Sequence, residues 1–418
     1  MATVDIVMLV SLISIWSLLL LNIVLIVAGY RYYLQCEKNR EPEPDHYPMV
    51  SVLVPAHNEA KVIARTVESL LKFDYPNDCY EIIVVNDNSS DNSAEILAGI
   101  QAQNSDRNLI VINTDAATGG RGKSRALNIA LERCCGELIA IYDADNTPEP
   151  SALKILVAEL ISDDKFGAVV GKFRTRNKEV NLLTRFINIE TLAYQWMVQA
   201  GRWQLFKLNT IPGTNYVVRR SIIDELGGWD EKALAEDTEM SYRIYRLGYT
   251  IKFFPYAVTW EQEPQTMGTW FKQRARWVQG NIYVVIKNIP LLFRKNTGKV
   301  RFDILYSMAV YFLLLGSLLT SDIVFIGSAI GAINASLAQF SALLWIMAIV
   351  LFIMGTFVVI ATEKGEMTLS NLGLTALMYF TYSKMWMVVA FYGLCKYIQT
   401  VLTKREVKWV KTERFDER

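Results

Sequence analysis

Asp143 and Asp145 stand one residue apart in the stretch Glu-Leu-Ile-Ala-Ile-Tyr-Asp-Ala-Asp-Asn-Thr-Pro-Glu-Pro over 137–150. Two carboxylates so spaced can share a hard divalent cation, Mg2+ or Mn2+, with a diphosphate. The same residue types also suit an Asx-type turn before Pro148. The preceding run, Leu138 to Tyr142, has no helical period and reads as a strand buried on both faces of a parallel sheet. Its acids then lie at the carboxyl end of a strand, where open α/β sheets bind ligands.

Three further apolar runs end in the same way. The strand 50–54 ends in Pro-Ala-His-Asn-Glu and delivers Glu59 before a helical pattern over 61–71. The strand 81–85 ends in Asn-Asp-Asn-Ser-Ser-Asp and delivers Asp87. The strand 109–113 leads to Gly119-Gly120-Arg121-Gly122-Lys123 and a helix over 124–134. This alternation predicts a right-handed parallel sheet with crossover helices, its polar ends converging on one rim. Singly, each residue has a structural explanation: Glu59 as an acid at a helix start, Asp87 as a turn residue, Lys123 as a solvated cation. The glycines before Lys123 are too close to it for a Walker-type phosphate loop.

Downstream, Ala235-Glu236-Asp237-Thr238-Glu239 sets three acids at a helix start, an arrangement that a helix dipole alone would favour. Gln273-Arg274-Ala275-Arg276-Trp277 offers a cation for an anionic leaving group in Arg276 and a flat indole for a sugar face in Trp277. An interfacial helix with snorkelling arginines would use the same residues. The stretch 181–206, rich in Trp, Tyr, Leu and Phe, reads as amphipathic and interfacial.

The 418 residues are 52% apolar and 20% charged, and the two classes are segregated. Charges fill the middle of the chain and long apolar runs take both ends. Residues 1–30 predict one membrane helix, 31–300 a cytosolic α/β domain with interfacial helices, 301–362 two membrane helices, and 363–418 a further helix and a C-terminal tail. Arg31, Lys38 and Arg40 after the first run place residue 30 onward in the cytoplasm of a plasma-membrane protein. The run 372–399 contains Lys384; if it spans, the basic tail lies outside against the positive-inside tendency, and if it lies in the interface, the preferred reading, the tail is cytosolic. A net charge of +1 argues against nucleic acid as a partner. Two histidines, His46 and His57, leave no room for a histidine-rich zinc site, and the five cysteines lack metal-ligand spacing.

Taken in order, the Pro-Ala-His-Asn-Glu box, Asn-Asp-Asn-Ser-Ser-Asp, Arg-Gly-Lys-Ser-Arg-Ala-Leu-Asn and Asp-Ala-Asp resemble the nucleotide-binding half of family-2 glycosyltransferases of the GT-A (Rossmann-like) fold. That resemblance implies that Glu59 and Asp87 hold the uridine of a UDP-sugar and that Asp143 and Asp145 hold its diphosphate through Mg2+ or Mn2+, with Lys123 close to the nucleotide. Glu236 and Asp237 match the Thr-Glu-Asp box of processive synthases, whose Asp is the general base. Ala235 replaces the Thr. Gln273, Arg276 and Trp277 match the Gln-x-x-Arg-Trp box of membrane-embedded polysaccharide synthases. Trp409, Lys411 and Arg414 resemble the gating segment that closes over the nucleotide in such enzymes, although a basic tail also suits a membrane surface. The implied activity is processive, inverting transfer to a growing β-linked polysaccharide, with glucan favoured and poly-N-acetylglucosamine or hyaluronan as alternatives. Transfer of a single sugar to a lipid carrier, and a non-catalytic nucleotide sensor, are the other readings. An accessory export or regulatory subunit would be a separate partner.

Overall fold

The computed structural model describes residues 3–294, 298–333, 338–403 and 411–415. The chain begins in one long apolar helix, α1 (Thr3–Cys36), which outlasts the expected span by a turn and a half and seats Tyr32 in the α/β domain, its hydroxyl donating to the Phe253 carbonyl at 2.6 Å.

Four strands follow as the pattern requires: β1 (Val50–Ala56), β2 (Tyr80–Asn86), β3 (Leu109–Asn113) and β4 (Leu138–Ile141), all parallel in the order β3-β2-β1-β4. Every side chain of β2 and β4 is buried, which is why these runs are apolar on both faces. The crossovers carry α2 (Ile63–Leu70), α3 (Ser93–Gln103) and α4 (Lys123–Leu131).

The second half departs from the all-parallel expectation. After β5 (Thr147–Pro148), α5 (Ala152–Ile161) and β6 (Phe166–Thr175), the chain passes through α6 (Leu182–Ala193), a π-helical segment Tyr194–Ala200 and α7 (Gly201–Phe206) before β7 (Tyr216–Arg219). β7 enters between β4 and β6 and runs antiparallel to both. Then come α8 (Arg220–Leu226), α9 (Glu236–Arg246), β8 (Thr250–Glu261) and α10 (Met267–Asn288), and the sheet closes as an eight-stranded mixed sheet, β3-β2-β1-β4-β7-β6-β8-β5. The apolar content of a strand reports its burial but not its direction.

The stretch expected to be one interfacial helix, 181–206, is a helix interrupted by the π segment. It is largely buried against α1 and the sheet, with Gln195 and Gln199 fully enclosed.

Beyond the domain lie α11 (Gly298–Met308), a second π segment Ala309–Leu314, α12 (Leu315–Ala329) and α13 (Ala338–Ala361). The last apolar run is two helices, α14 (Leu369–Phe380) and α15 (Tyr382–Thr403). The break at Thr381 lets the Tyr382 hydroxyl bond to Glu190 and accept from the Trp270 indole at 2.9 Å. Among the described residues three helices are long and apolar enough to cross a membrane: Thr3–Cys36, Val300–Ala329 and Tyr382–Thr403. α15 runs beside α10 in the same direction, with Trp386 against Trp270, Gly393 against Val278, and Thr400 bonded to Gln279 at 3.0 Å.

The turn between α13 and α14 docks on the domain through charge. Glu363 meets Lys172 at 2.9 Å and also pairs with Arg174, while Glu366 meets Arg174 at 2.8 Å and Lys178 at 2.7 Å.

Candidate active site

The carboxyl ends of β1, β2 and β4 meet the start of α9, one face of α10 and the tail segment Lys411–Phe415. Asp143 lies two residues past the end of β4, and its backbone N–H donates to the Thr214 hydroxyl at 3.0 Å. Its carboxylate lies 2.6 Å from Lys123 Nζ. Lys123, the first residue of α4, also reaches Glu236 at 3.4 Å and donates to the Gly213 carbonyl at 2.7 Å. Burial works against the lysine charge, but Asp143, Glu236 and Asp237 outweigh it and hold the ammonium above its ordinary range.

Glu236 and Asp237 open α9. Removal from water, then the charge of Glu236, pushes the Asp237 carboxyl up to about 7. The loop facing it must be glycine: Gly213 has φ +95°, and a Cβ there would stand 2.9 Å from Asp237 Oδ2. Arg276 on α10 turns into the same acidic group; its burial lowers the affinity of the guanidinium for its proton, while Glu236, Asp143 and Asp237 favour the charge. Its Nη2 lies 3.5 Å from the Thr412 hydroxyl.

The second half of the site is donor-facing. The Asp87 carboxylate accepts from the Thr114 hydroxyl and the Gly120 N–H, both at 2.8 Å, which ties β2 to the glycine-rich turn. Glu59 faces Arg414 at 3.3 Å and Lys411 at 3.6 Å, and Asp145 meets Arg414 at 2.7 Å. Burial pushes the Glu59 carboxyl up, partly offset by those two cations. The tail is pinned by Gln262, whose amide donates to the Phe415 carbonyl and whose oxygen accepts the Phe415 N–H, both at 2.8 Å.

Trp277 is 40% exposed, with the Arg274 guanidinium 4.0 Å from its ring centroid on one face. Gln273 accepts from Arg274 at 2.7 Å. The sequence-predicted residues Glu59, Asp87, Lys123, Asp143, Asp145, Glu236, Asp237, Gln273, Arg276, Trp277, Lys411 and Arg414 are therefore all placed, while Trp409 lies outside the described residues.

Sequence reasoning missed several members. Gly213, Thr214 and Gln262 carry no charge that spacing could single out, and only the fold brings them to the site. Glu261 stands at the end of β8; burial, then the charges of Glu263, Asp145 and Asp143, push its carboxyl well above the ordinary range. Its strand was itself unforeseen, so its place beside Asp145 could not be read.

A metal fits Asp143 and Asp145 by chemistry. Both are oxygen donors, and Asp143 keeps 33% of its side chain exposed. Hard divalent ions of the Mg2+ type are commonly held by one or two carboxylates and completed by phosphate oxygens.

This sheet and this rim are those of a GT-A glycosyltransferase domain. The sequence pattern described as "Glycosyltransferase like family 2" matches residues 48–280, and the chain belongs to that family. It is 46% identical over 412 residues, 98% of this chain and 97% of the relative, to the probable glycosyltransferase YdaM of Bacillus subtilis (strain 168). It is 30% identical over 274 residues, 64% of each chain, to the poly-beta-1,6-N-acetyl-D-glucosamine synthase of Staphylococcus epidermidis. In structure it is similar to the Pyrobaculum calidifontis mannosyltransferase PcManGT, solved with GDP-Man and Mn2+, with a TM-score of 0.63 at 22% identity over 92% of this chain and all of that one.

Proposed function

We propose that this protein is a membrane-embedded synthase that transfers a hexose from a UDP-sugar, with inversion, to the end of a growing β-linked polysaccharide. The observation that carries this reading is the meeting of Asp237, at about 7, with Lys123, Asp143, Glu236 and Arg276 in one cleft. A carboxyl tuned to that value can take the acceptor hydroxyl proton near neutral pH. Lys123 and Arg276 supply positive charge where the diphosphate departs. Asp143 and Asp145 would hold the divalent cation, which when bound adds charge to the same leaving group. Glu59 and Asp87 face the nucleoside, Gln273 and Trp277 the acceptor, and Lys411, Thr412 and Arg414 cover the donor from above.

For the sugar, the poly-N-acetylglucosamine synthase relative favours UDP-N-acetylglucosamine over the UDP-glucose that the motifs alone suggested. The parallel course of α15 and α10 supports an interfacial α15, with α1, α11–α12 and α13 crossing the bilayer and the domain in the cytoplasm.

The test is UDP release by the bilayer-reconstituted protein with Mg2+ or Mn2+ and UDP-N-acetylglucosamine, UDP-glucose or UDP-glucuronate, followed by linkage-specific digestion of the product. Polymer from UDP-N-acetylglucosamine alone is expected. Polymer from another donor overturns the sugar, release without polymer points to a single-addition enzyme, and no turnover by folded protein overturns the catalytic reading.

A further inference from the structure

Asn281 lies one helical turn beyond Trp277 on α10, so the two side chains share a face about 6 Å apart along the axis. It bonds in two directions. Its amide oxygen accepts from the Thr238 hydroxyl at 3.0 Å, and its amide N–H donates to the Tyr311 hydroxyl at 3.0 Å. Thr238 directly follows Asp237, and its backbone N–H donates to the Asp237 carboxylate at 2.7 Å.

Two features make this line of residues more than a packing detail. The first is the close approach that permits it. Gly280 faces Ala235, and a Cβ at Gly280 would lie 3.0 Å from the Ala235 methyl. A larger residue at either position would lift α10 from the start of α9 and break the Thr238 to Asn281 bond. Ala235, which departs from the usual Thr, therefore gives up a helix cap but admits the contact. The second feature is that Tyr311 sits in the π segment Ala309–Leu314 at the base of the helix that continues as α12. π segments of this kind frequently occur at functional sites, and the extra residue rotates a side chain away from its α-helical direction. Thr238, Asn281 and Tyr311 are all half-buried rather than enclosed, and Thr238 stands beside Asp237 at the cleft.

We propose that Asn281 and Tyr311 form a second acceptor-sugar subsite, which binds the ring hydroxyl or acetamido group of the sugar behind the one stacked on Trp277. The chemistry suits a pyranose: an amide with donors and an acceptor, and a phenol whose oxygen accepts from Asn281 and whose proton can go to a sugar oxygen. The bond through Thr238 fixes the distance from this subsite to Asp237. A chain seated here would therefore present its terminal hydroxyl at a constant place. The inference rests on the reading of Trp277 and Asp237 given above.

The test uses full-length protein in bilayers, with UDP-N-acetylglucosamine as donor and a short β-linked N-acetylglucosamine oligosaccharide as acceptor. Asn281→Ala and Tyr311→Phe should each raise the acceptor KM by about two- to tenfold, the effect of one or two lost hydrogen bonds, and shorten the polymer. UDP affinity should stay within about twofold of wild type, because neither side chain faces the nucleotide. If Asn281→Ala also loses UDP affinity, its fold is disturbed and Tyr311→Phe alone decides. Wild-type acceptor KM and polymer length in Tyr311→Phe would overturn the subsite. Asp237→Asn is run beside them: polymer made by that variant would remove the underlying reading instead, a separate result.

Discussion

Two charge clusters join distant parts of this chain, and they are built to opposite rules. In the clamp at the turn between α13 and α14, Lys172, Arg174 and Lys178 meet Glu363 and Glu366. Each carboxylate there has several fixed partners: Glu363 also accepts from the Trp196 indole at 3.3 Å, and Glu366 from Asn188 at 3.0 Å. Both carboxylates are engaged within the protein. At the catalytic rim, Asp143 stays partly exposed and Asp237 is left with a carboxyl at about 7 rather than a dedicated cation. Arg414 bridges Asp145 and Glu59, the latter 355 residues away in sequence, on a tail segment that Gln262 holds in place. A buried cluster whose acids are all paired fixes geometry; a partly exposed one can exchange partners for substrate.

The sharpest way to separate the two is to remove one acid from each. Asp237→Asn should lower the transfer rate by about 10²–10⁴-fold, the usual worth of a general base, while UDP binding holds. Its effect on stability should have the opposite sign. A carboxyl raised to about 7 in the fold contributes stability that is present at low pH and lost as pH rises through that value. The Asn variant should therefore melt no lower than wild type at pH 8, and a marked drop in its melting temperature would place Asp237 among the structural charges.

Glu366→Ala should do the reverse. Four donors, on Arg174, Lys178, Asn188 and Asn371, lose their carboxylate partner, which costs about 3–5 kcal/mol of stability by denaturant titration in detergent, while the folded fraction transfers at the wild-type rate. Lost transfer with unchanged stability would break the distinction drawn here.

The smallest effect is in the pH profile. The acid limb of kcat/KM should lie near 7, falling about tenfold per unit below it as Asp237 takes up its proton. Glu236 and Asp143 act to raise that limb, and Lys123 and the Thr238 N–H act to lower it. Lys123→Met should accordingly move the limb upward; no movement would mean that another group governs the profile.

Much of the first half of the domain was legible because β1 to β4 are apolar on both faces and each ends in polar residues at a turn. Spacing alone then placed Glu59, Asp87, Lys123, Asp143 and Asp145 on one rim. The second half was harder. β7 inserts antiparallel, and neither β6 nor β8 was foreseen, because their polar residues serve remote partners: Lys172 and Arg174 pair with a turn nearly two hundred residues away. The 372–399 run looked continuous because Thr381 is no helix breaker; tertiary bonds to Tyr382 decide the break.

The sequence by itself determined which residues are able to hold a diphosphate, accept a proton and stack a sugar, since those capacities belong to residue types and to spacings of a few positions. Only the tertiary structure decided how they are tuned and closed. The pKa of Asp237 depends on its removal from water beside Glu236, the Thr238 to Asn281 bond on the bare Cα of Gly280, and the cover over Glu59 and Asp145 on a tail that returns from the far end of the chain. Those are properties of distances between segments remote in sequence, which no local pattern encodes.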